Sequence, residues 1–305
     1  MTAIVKGLLG IAEMDRGEIQ AILDRARDFQ HHQHEPVRKF TILQGRMIVN
    51  LFFESSTRTR TSFEIAAKRL GADSVSISAS GSSVSKGESL VDTLNTLAAM
   101  RPNAIVMRHA ASGAPHFLAR HLGIPIINAG DGTHEHPTQA LLDARTILDR
   151  RPSLEGLRVA IIGDIAHSRV ARSNAHLLSK FGAQVVLCGP PTLLPRELAQ
   201  LAPNISLSYD MNEAIAGADV IMMLRVQSER QHEVLFPASE YFKFYGLRLE
   251  HVEQAKPDVI VMHPGPINRG RELASEVADS QSSVILNQVE NGVAVRMAVL
   301  EKVLT

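Results

Sequence analysis

A run of hydroxyl and guanidinium side chains stands between an apolar segment and a helical pattern. The run is Ser55-Ser56-Thr57-Arg58-Thr59-Arg60. Residues 46–52 before it are apolar with β-branched members and predict a buried strand, and residues 61–70 carry apolar side chains at helical spacing. The first N–H groups of a helix have no intrahelical partner and carry partial positive charge. Together with the hydroxyls and a forked guanidinium, they would bind a tetrahedral oxyanion, most simply phosphate.

Helix capping is the alternative interpretation of this run. Ser and Thr often cap helices, and surface arginines are often solvated. Two arginines interleaved with hydroxyls at the end of a strand favour the phosphate site instead. We therefore expect the run to bind an anion.

Cationic or imidazole side chains also follow the other predicted strands in the first half of the chain. Those strands are residues 74–77, 104–107 and 125–128. The first leads into a Gly- and Ser-rich segment with Lys86, the second ends in Arg108-His109, and the third leads to His136-Pro137-Thr138-Gln139. Alternating strands and helices predict a parallel sheet, whose strands all end at the same edge. We expect these side chains to meet there.

The same alternation restarts after residues 149–153, where Pro152 ends a helical pattern and marks a domain boundary. Further strands are predicted over residues 157–162, 184–187, 220–224 and 259–262. Polar segments again follow the strands, namely 163–169, Arg225-Val226-Gln227 and His263-Pro264-Gly265-Pro266. The predicted fold class is therefore α/β, with two doubly wound parallel-sheet lobes and the active site in the cleft between them.

The composition describes a soluble globular chain rather than a nucleic-acid-binding or membrane protein. The 305 residues are 45% hydrophobic and 21% charged, and the formal net charge is +0. This balance creates no general attraction to nucleic acid or to anionic lipid. No segment reaches the ~20 apolar residues of a membrane span, and the N-terminus lacks the pattern of a signal peptide. We expect a cytoplasmic protein.

Three other features suggest functions that the surrounding residues do not support. Gly163-Asp164 lacks the glycine spacing of a dinucleotide site. The tract His31-His32-Gln33-His34 has no acidic or cysteine partner at ligand spacing, which favours a solvated linker over a metal site. Cys188, the single cysteine, ends an apolar run and is predicted to be a core residue rather than a nucleophile. The segment after Arg225, up to Pro257, is long enough to be either a lid or a packed helical insertion.

Seven short motifs resemble those of the carbamoyltransferase family and occur in the family's order. They are Ser56-Thr57-Arg58-Thr59, Lys86-Gly87-Glu88, Arg108-His109, His136-Pro137-Thr138-Gln139, Gly163-Asp164 with His167-Ser168-Arg169, Arg225-Val226-Gln227 and His263-Pro264-Gly265-Pro266. The fifth and sixth motifs resemble the aspartate-specific branch of the family. Each motif alone is weak, but seven in register over essentially the whole chain are specific.

The resemblance implies that the chain transfers the carbamoyl group of carbamoyl phosphate to the amine of L-aspartate. The products would be N-carbamoyl-L-aspartate and phosphate, in a step of de novo pyrimidine biosynthesis. Residues 1–150 would form a carbamoyl phosphate-binding domain, with the C-terminal helix 288–305 packing back on it. Residues 151–287 would form an L-aspartate-binding domain. The resemblance implies no metal and no organic cofactor.

Individual roles follow from the same resemblance, position by position. The phosphate of carbamoyl phosphate is assigned to Ser56, Thr57, Arg58 and Thr59. Its carbamoyl group is assigned to Thr59, Arg108, His136, Gln139 and the backbone of Gly265-Pro266, where a cis peptide bond is expected. L-Aspartate is assigned to Lys86, Arg169, Arg225 and Gln227. The catalytic residues would be Arg58, Thr59, Lys86, Arg108 and His136.

A homotrimer is also implied, because Ser82 and Lys86 occupy positions that reach into the neighbouring subunit's site in this family. The sequence leaves open whether regulatory chains or a dihydroorotase associate with the trimer.

Two other functions stay open at this point. In the ornithine-specific branch, a His-Cys-Leu-Pro segment stands where this chain has His263-Pro264-Gly265-Pro266, and carboxylates would bind the acceptor's amine. An inactive scaffold subunit would lack the phosphate arginine, the lysine or the histidine, and all three are present here.

Overall fold

The computed structural model describes residues 7–32, 35, 39–78, 90–226 and 238–305. The predicted site residues Ser82, Lys86 and Gln227 lie outside these ranges, as does part of the histidine tract. The chain divides into two compact units, Met1–Leu141 with Val289–Thr305, and Leu142–Gln288.

The first unit contains a four-stranded parallel sheet in the order β2-β1-β3-β4. Its elements along the chain are α1 (Arg16–His31), β1 (Met47–Phe52), α2 (Thr57–Arg69), β2 (Asp73–Ser78), α3 (Leu90–Ala99), β3 (Ala104–His109), α4 (Ala114–His121) and β4 (Ile126–Asp131). The next helix, α5 (Pro137–Leu148), contains the first point of division between the units.

The second unit contains a five-stranded parallel sheet in the order β7-β6-β5-β8-β9. Its elements are β5 (Arg158–Ile162), α6 (Arg169–Lys180), β6 (Gln184–Cys188), β7 (Ile205–Ser208), α7 (Met211–Ile215), β8 (Val220–Met223), α8 (Ala238–Tyr245), α9 (Leu249–Val252), β9 (Ile260–Met262) and α10 (Ser275–Ala278). The last helix, α11 (Ile285–Leu304), contains the second point of division. The predicted α/β class with two parallel sheets is confirmed.

The strand order reverses once in each sheet. From β1 the sheet continues to β2 on one side and to β3 on the other. From β5 it continues to β6 on one side and to β8 on the other. Ligands of open α/β sheets bind outside the carboxyl ends of the strands at such a reversal. The segments that follow β1, β3, β5 and β8 are therefore the places where a site is expected.

Burial of the strands follows from the covering of both sheet faces by helices. Every residue of β4, β8 and β9 is buried. The exception is β2, an edge strand in which no residue is fully buried. The apolar surface of this strand is considered again below.

Several predicted elements differ from the structure. The amphipathic pattern of residues 11–30 predicts a helix from Ile11, but the helix begins at Arg16, because Asp15 and Glu18 form a capping box there. Residues 196–201, where the sequence pattern predicts an α-helix, form a 3₁₀ helix, and the last helix begins at Ile285 rather than at the predicted residue 288. The strand β7 was not predicted at all, since only four residues carry its alternation.

The long segment after Arg225 contains α8, whose Tyr241 is 1% exposed and belongs to the core of the second unit. Its described part is therefore a packed helical insertion rather than a lid. No helix in the described ranges is long and apolar enough to cross a bilayer.

Gly163 follows β5 directly, with a φ of +145°, and an added Cβ would lie 2.8 Å from the Cβ of Leu224. Replacing Gly163 with Ala should lower the free energy of unfolding by roughly 2–6 kcal/mol. This sum combines about 1–3 kcal/mol for an unfavourable backbone conformation with about 1–3 kcal/mol for overpacking. Urea denaturation measures the change.

Gly156 is the matched control for that substitution. Its φ is +73°, and no atom of the described residues lies within 4 Å of an added Cβ. Gly156→Ala should therefore cost only the roughly 1–2 kcal/mol of the left-handed conformation. Equal losses for the two variants would show that the contact with Leu224 is not responsible.

Candidate active site

The segment between β1 and α2 has the structure of an anion site. Ser56 is the N-cap residue of α2, yet its hydroxyl makes no capping hydrogen bond, and no acidic side chain stands in the first turn. Thr57 and Arg58 are exposed, whereas Thr59 is buried. The hydroxyl of Ser56 is thus not used to cap α2, at a helix N-terminus of the kind that binds anions. Capping does not account for Ser56.

Arg108 stands at the carboxyl end of β3, beside the end of β1. The two strands are in register at Phe52 and Arg108, and the N–H of Phe53 donates to the carbonyl of Arg108 at 2.9 Å. One guanidinium nitrogen of Arg108 donates to the carbonyl of Ala129 at 3.2 Å, and its Nε lies 3.5 Å from a carboxylate oxygen of Glu54. These contacts hold Arg108 at the sheet edge where the strand order reverses.

His136 and Gln139 stand at the start of α5, which follows β4. The carbonyl of His136 accepts from the N–H groups of Gln139 and Ala140, at 2.9 and 3.3 Å, so His136 directly precedes the helix and accepts its first hydrogen bonds. The side chains of His136 and Gln139 are both buried. Since β1, β3 and β4 are neighbouring or next-neighbouring parallel strands, the structure brings those predicted residues of the first unit that it describes to one sheet edge.

Glu135, next to His136, is a supporting residue that sequence reasoning missed. Its two carboxylate oxygens accept from the backbone N–H groups of Ile11 and Ala12, at 2.7 and 3.1 Å. An added Cβ at Gly10 would lie 2.6 Å from the same carboxylate. The N-terminal segment is thereby fixed to the loop that carries His136. The partners are more than a hundred residues away in sequence, so no local pattern could reveal this contact.

Asp131, the last residue of β4, organises the same loop from the other end. Its carboxylate is fully buried and accepts hydrogen bonds from His134, from Asn128 and from the N–H of Gly113. Burial raises the pKa of the Asp131 carboxyl, but the hydrogen bonds outweigh burial, so that its pKa lies below the usual value. Asp131 is therefore a charged anchor at neutral pH.

In the second unit, Arg169 and Arg225 follow the two strands at the reversal of the strand order. Arg169 is the first residue of α6 and is 3% exposed, and Ser168 caps this helix by accepting from the N–H of Ala171. Arg225 follows β8 and is partly buried. The two arginines are thus placed at the carboxyl ends of adjacent strands, β5 and β8.

Glu272 is a second supporting residue that the sequence did not indicate. One of its oxygens accepts from the N–H of Val226 at 3.0 Å and from the side-chain amide of Asn268 at 2.8 Å, and the other accepts from the N–H of Asn268. Burial raises the pKa of this carboxyl, although the hydrogen bonds act in the opposite direction. Glu272 fixes the backbone directly after Arg225.

The segment after β9 carries the predicted Gly265-Pro266. The peptide bond between these residues is cis, as expected from the family resemblance. The N–H of Gly265 donates to Nδ1 of His263 at 2.8 Å, and the N–H of His263 donates to Gln288 at 3.0 Å. Gln288 in turn donates to the buried carboxylate of Asp143 at 2.7 Å. A chain of hydrogen bonds therefore supports this loop from α11 and α5.

Two further residues, Cys188 and Asp164, lie outside the set assigned to the substrates. Cys188 is fully buried in the core of the second unit, and burial raises the pKa of its thiol to about 12. Both observations agree with a core role rather than a nucleophile. Asp164 accepts from the N–H and from Nδ1 of His167, at 3.2 and 2.8 Å, and so holds the turn before α6.

Comparison with known protein families identifies two adjacent domains in the chain. Residues 6–149 match the model described as "Aspartate/ornithine carbamoyltransferase, carbamoyl-P binding domain". Residues 155–303 match the model described as "Aspartate/ornithine carbamoyltransferase, Asp/Orn binding domain". Together the two models cover nearly the whole chain.

Individual relatives agree with these matches. The chain is 78% identical to the aspartate carbamoyltransferase catalytic subunit of Solibacter usitatus, over 98% of this chain and 99% of the relative. It is 56% identical to the corresponding subunit of Syntrophotalea carbinolica, over 97% of this chain and 94% of the relative.

Solved structures show the same relationship. Aspartate transcarbamoylase from Trypanosoma cruzi, in complex with carbamoyl aspartate and phosphate, superposes with a TM-score of 0.90 at 32% identity, covering 99% of this chain and 96% of the other. Ornithine carbamoyltransferase from Pyrococcus furiosus gives a TM-score of 0.88 at 30% identity, covering 98% and 97%. The chain therefore belongs to the aspartate/ornithine carbamoyltransferase family, and it is an enzyme of the transferase class.

Proposed function

We propose that this chain is a cytoplasmic aspartate carbamoyltransferase of pyrimidine biosynthesis, which transfers the carbamoyl group of carbamoyl phosphate to L-aspartate. The observation that carries the proposal is the placement of arginines at the strand-order reversal of both sheets. Arg108 stands there in the first sheet, and Arg169 and Arg225 in the second. Two cationic sets suit two anionic substrates. The name of the relative at 78% identity supports the same activity.

The residues at the edge of the first sheet bind carbamoyl phosphate in this proposal. Ser56, Thr57, Arg58 and Thr59 hold the phosphate at the N-terminus of α2, which the uncommitted Ser56 hydroxyl supports. Thr59, Arg108, His136 and Gln139 hold the carbamoyl group, and the backbone of Gly265-Pro266 meets its amide nitrogen. The assignment of residues 1–150 as the carbamoyl phosphate-binding domain is supported by the family model that matches residues 6–149. The addition of residues 288–305 is supported by the compact first unit, which includes Val289–Thr305.

The second set binds L-aspartate, within a domain assigned to residues 151–287. Arg169 and Arg225 pair with its two carboxylates, together with Lys86 and Gln227 outside the described residues. L-Ornithine is the rival acceptor. Its side chain ends in an amine, which would need carboxylate partners rather than Arg225.

The chemistry needs fixed hydrogen-bond donors more than a covalent nucleophile. The amine of L-aspartate attacks the carbamoyl carbon, forming a C–N bond and a tetrahedral intermediate with an oxyanion. The C–O bond to phosphate then breaks, phosphate leaves with the bonding electrons, and the former amine passes a proton to the leaving phosphate. Thr59, Arg108 and His136 stabilise the oxyanion, whereas Arg58 stabilises the leaving phosphate.

A homotrimer completes the proposal, and the edge of the first sheet supports an interface there. No residue of β2 is fully buried, and Val75 on this strand is 48% exposed. Ile65 on α2 and Met100 after α3 add exposed apolar surface. Parallel sheets are normally covered on both faces, so an uncovered apolar edge indicates a partner. Ser82 and Lys86 belong to the segment that directly follows this strand.

Substrate choice tests the proposed activity. Purified chain with carbamoyl phosphate should form carbamoylated product and phosphate with L-aspartate, and none with L-ornithine. Chromatography of the product and phosphate release measure both reactions. Product with ornithine alone would place the chain in the other branch, and no product with either acceptor would indicate an inactive scaffold.

Replacing Arg108 with Ala tests the oxyanion role. The variant should lose roughly 10²–10³-fold in kcat, which is the usual effect of removing one such donor. Steady-state kinetics at saturating substrates measure it. Arg120→Ala is the matched control, because Arg120 is an exposed arginine in the last turn of α4. Comparable losses in both variants would mean that Arg108 has no special role.

Mixed trimers test whether Lys86 acts in the neighbouring subunit's site. Lys86→Gln and His136→Ala chains should each be inactive alone, but co-expression should restore activity. About one site in four would be intact, because half the chains supply His136 and half the neighbours supply Lys86.

Co-expressed Arg58→Ala and His136→Ala chains are the control for this restoration. In the proposed site, Arg58 and His136 come from the same chain. Every chain in this mixture lacks one of the two, so no intact site can form and the mixture should stay inactive. A mixture of Lys86→Gln and His136→Ala chains that gains nothing would place Lys86 in the site of its own chain. Native mass measurement on the same samples, with and without candidate regulatory chains or a dihydroorotase, checks the trimer and its partners.

A further inference from the structure

Three side chains of metal-binding type lie together in the first unit, apart from the residues assigned to the reaction. They are His116 on α4, Asp131 at the end of β4 and His134 in the loop that leads to His136. One possible ligand atom from each lies within 4.8 Å of the other two. Two imidazoles and a carboxylate are the ligands that zinc and similar divalent ions accept.

Asp131 presents one lone pair toward this cluster. Its Oδ1 accepts from the side-chain amide of Asn128 at 2.8 Å and from the N–H of Glu135 at 3.1 Å. Its Oδ2 accepts from the N–H of Gly113 at 2.6 Å and lies 3.0 Å from Nδ1 of His134. A carboxylate has about four lone-pair sites. Within the described residues, three are held by fixed donors and the fourth is directed at the imidazole of His134.

His116 is oriented as a metal-binding histidine usually is. Its Nε2 lies 2.8 Å from a carboxylate oxygen of Glu13, while its Nδ1 is buried and has no hydrogen-bond partner among the described residues. Histidine ligands commonly donate one ring N–H to a carboxylate and bind the metal through the other nitrogen. A buried imidazole nitrogen without a partner costs free energy, which a bound ion would recover.

We propose that His116, Asp131 and His134 bind one divalent transition-metal ion of the zinc class, with Glu13 orienting His116. Bond lengths of about 2.0–2.2 Å place tetrahedral ligand atoms roughly 3.3 Å apart. The pair of Asp131 and His134 is already near that separation at 3.0 Å. The imidazole of His116 has to approach by at most about 1.5 Å, from at most 4.8 Å to the roughly 3.3 Å of a tetrahedral site. A water molecule would complete the coordination.

The ion replaces a proton in this arrangement. Without metal, Nδ1 of His134 lies within hydrogen-bond distance of Oδ2 of Asp131, at 3.0 Å. With metal, both atoms become ligands, and the ion's charge offsets the carboxylates of Asp131 and Glu13. The ion ties α4 to the loop between β4 and α5. Its expected effect is to stabilise the fold at that loop, and the inference does not depend on the proposed activity.

Titration with Zn²⁺ alone tests the site. The full-length chain, stripped with a chelator and kept in phosphate-free buffer, should bind one Zn²⁺ per chain by calorimetry, and the ion should raise the midpoint of thermal unfolding. Mg²⁺ should do neither, because it prefers oxygen ligands in an octahedral arrangement. Co²⁺ in place of zinc should show the visible absorption of a four-coordinate site.

Three substitutions locate the ligands. His116→Gln and His134→Asn should each remove a ligand. Each should therefore weaken Zn²⁺ binding by more than about 10–100-fold, the usual loss when a residue that only hydrogen-bonds a ligand is replaced, and both should abolish the Co²⁺ absorption. Glu13→Gln should weaken binding by about 10–100-fold and keep the absorption, because Glu13 only orients His116. His134 is 40% exposed in its side chain, so its variant should fold whatever happens to the His116 variant.

The histidine tract provides the decisive control. A variant with His31, His32 and His34 replaced by Gln should bind one Zn²⁺ as the parent chain does. Binding that disappears in this variant, or that persists in both His116→Gln and His134→Asn, would overturn the proposal. Absence of stoichiometric Zn²⁺ binding by the parent chain would overturn it too.

Discussion

Parallel strand pairing is the constraint on which the rest of this structure depends. Because all strands of a parallel sheet run the same way, every strand ends at one edge, and the following loops share that edge. The strand order reverses at β1 and β3 in the first sheet and at β5 and β8 in the second. The loops on either side of a reversal separate, which leaves room for a ligand between them. The hydroxyls and arginines occupy these positions, so the topology selects which polar residues become functional.

Buried carboxylates keep these loops in place. Glu135 accepts from the backbone of Ile11 and Ala12, and Glu272 accepts from the backbone of Val226 and Asn268. Each of them directs its oxygens at N–H groups within its own unit, next to a residue assigned to substrate binding. A charged acceptor bound to backbone donors is stronger than a neutral one. These hydrogen bonds fix the backbone of loops that have no regular secondary structure.

Much of the fold and of the site could be predicted from the sequence, for identifiable reasons. The strand β1 was predicted to within one residue, because its apolar run ends abruptly in polar residues. The arginines and histidines after the strands were identified, since residue type and position after a strand are local information. Glu135 and Glu272 were missed, because their function lies in contacts with distant segments. The four residues of β7 were missed because their pairing with β6, not their own pattern, makes them a strand.

The buried carboxylates of Glu135 and Glu272 also show how a chain with no net charge can place negative charge next to residues assigned to anionic substrates. A carboxylate placed freely beside Arg225 would neutralise it and compete with an anionic substrate. Glu272 contacts Val226, the residue after Arg225, yet its lone pairs accept from the N–H of Val226 and from Asn268. The same holds for Glu135 beside His136, where the donors are the N–H groups of Ile11 and Ala12. In these two loops the negative charge is used to fix the backbone.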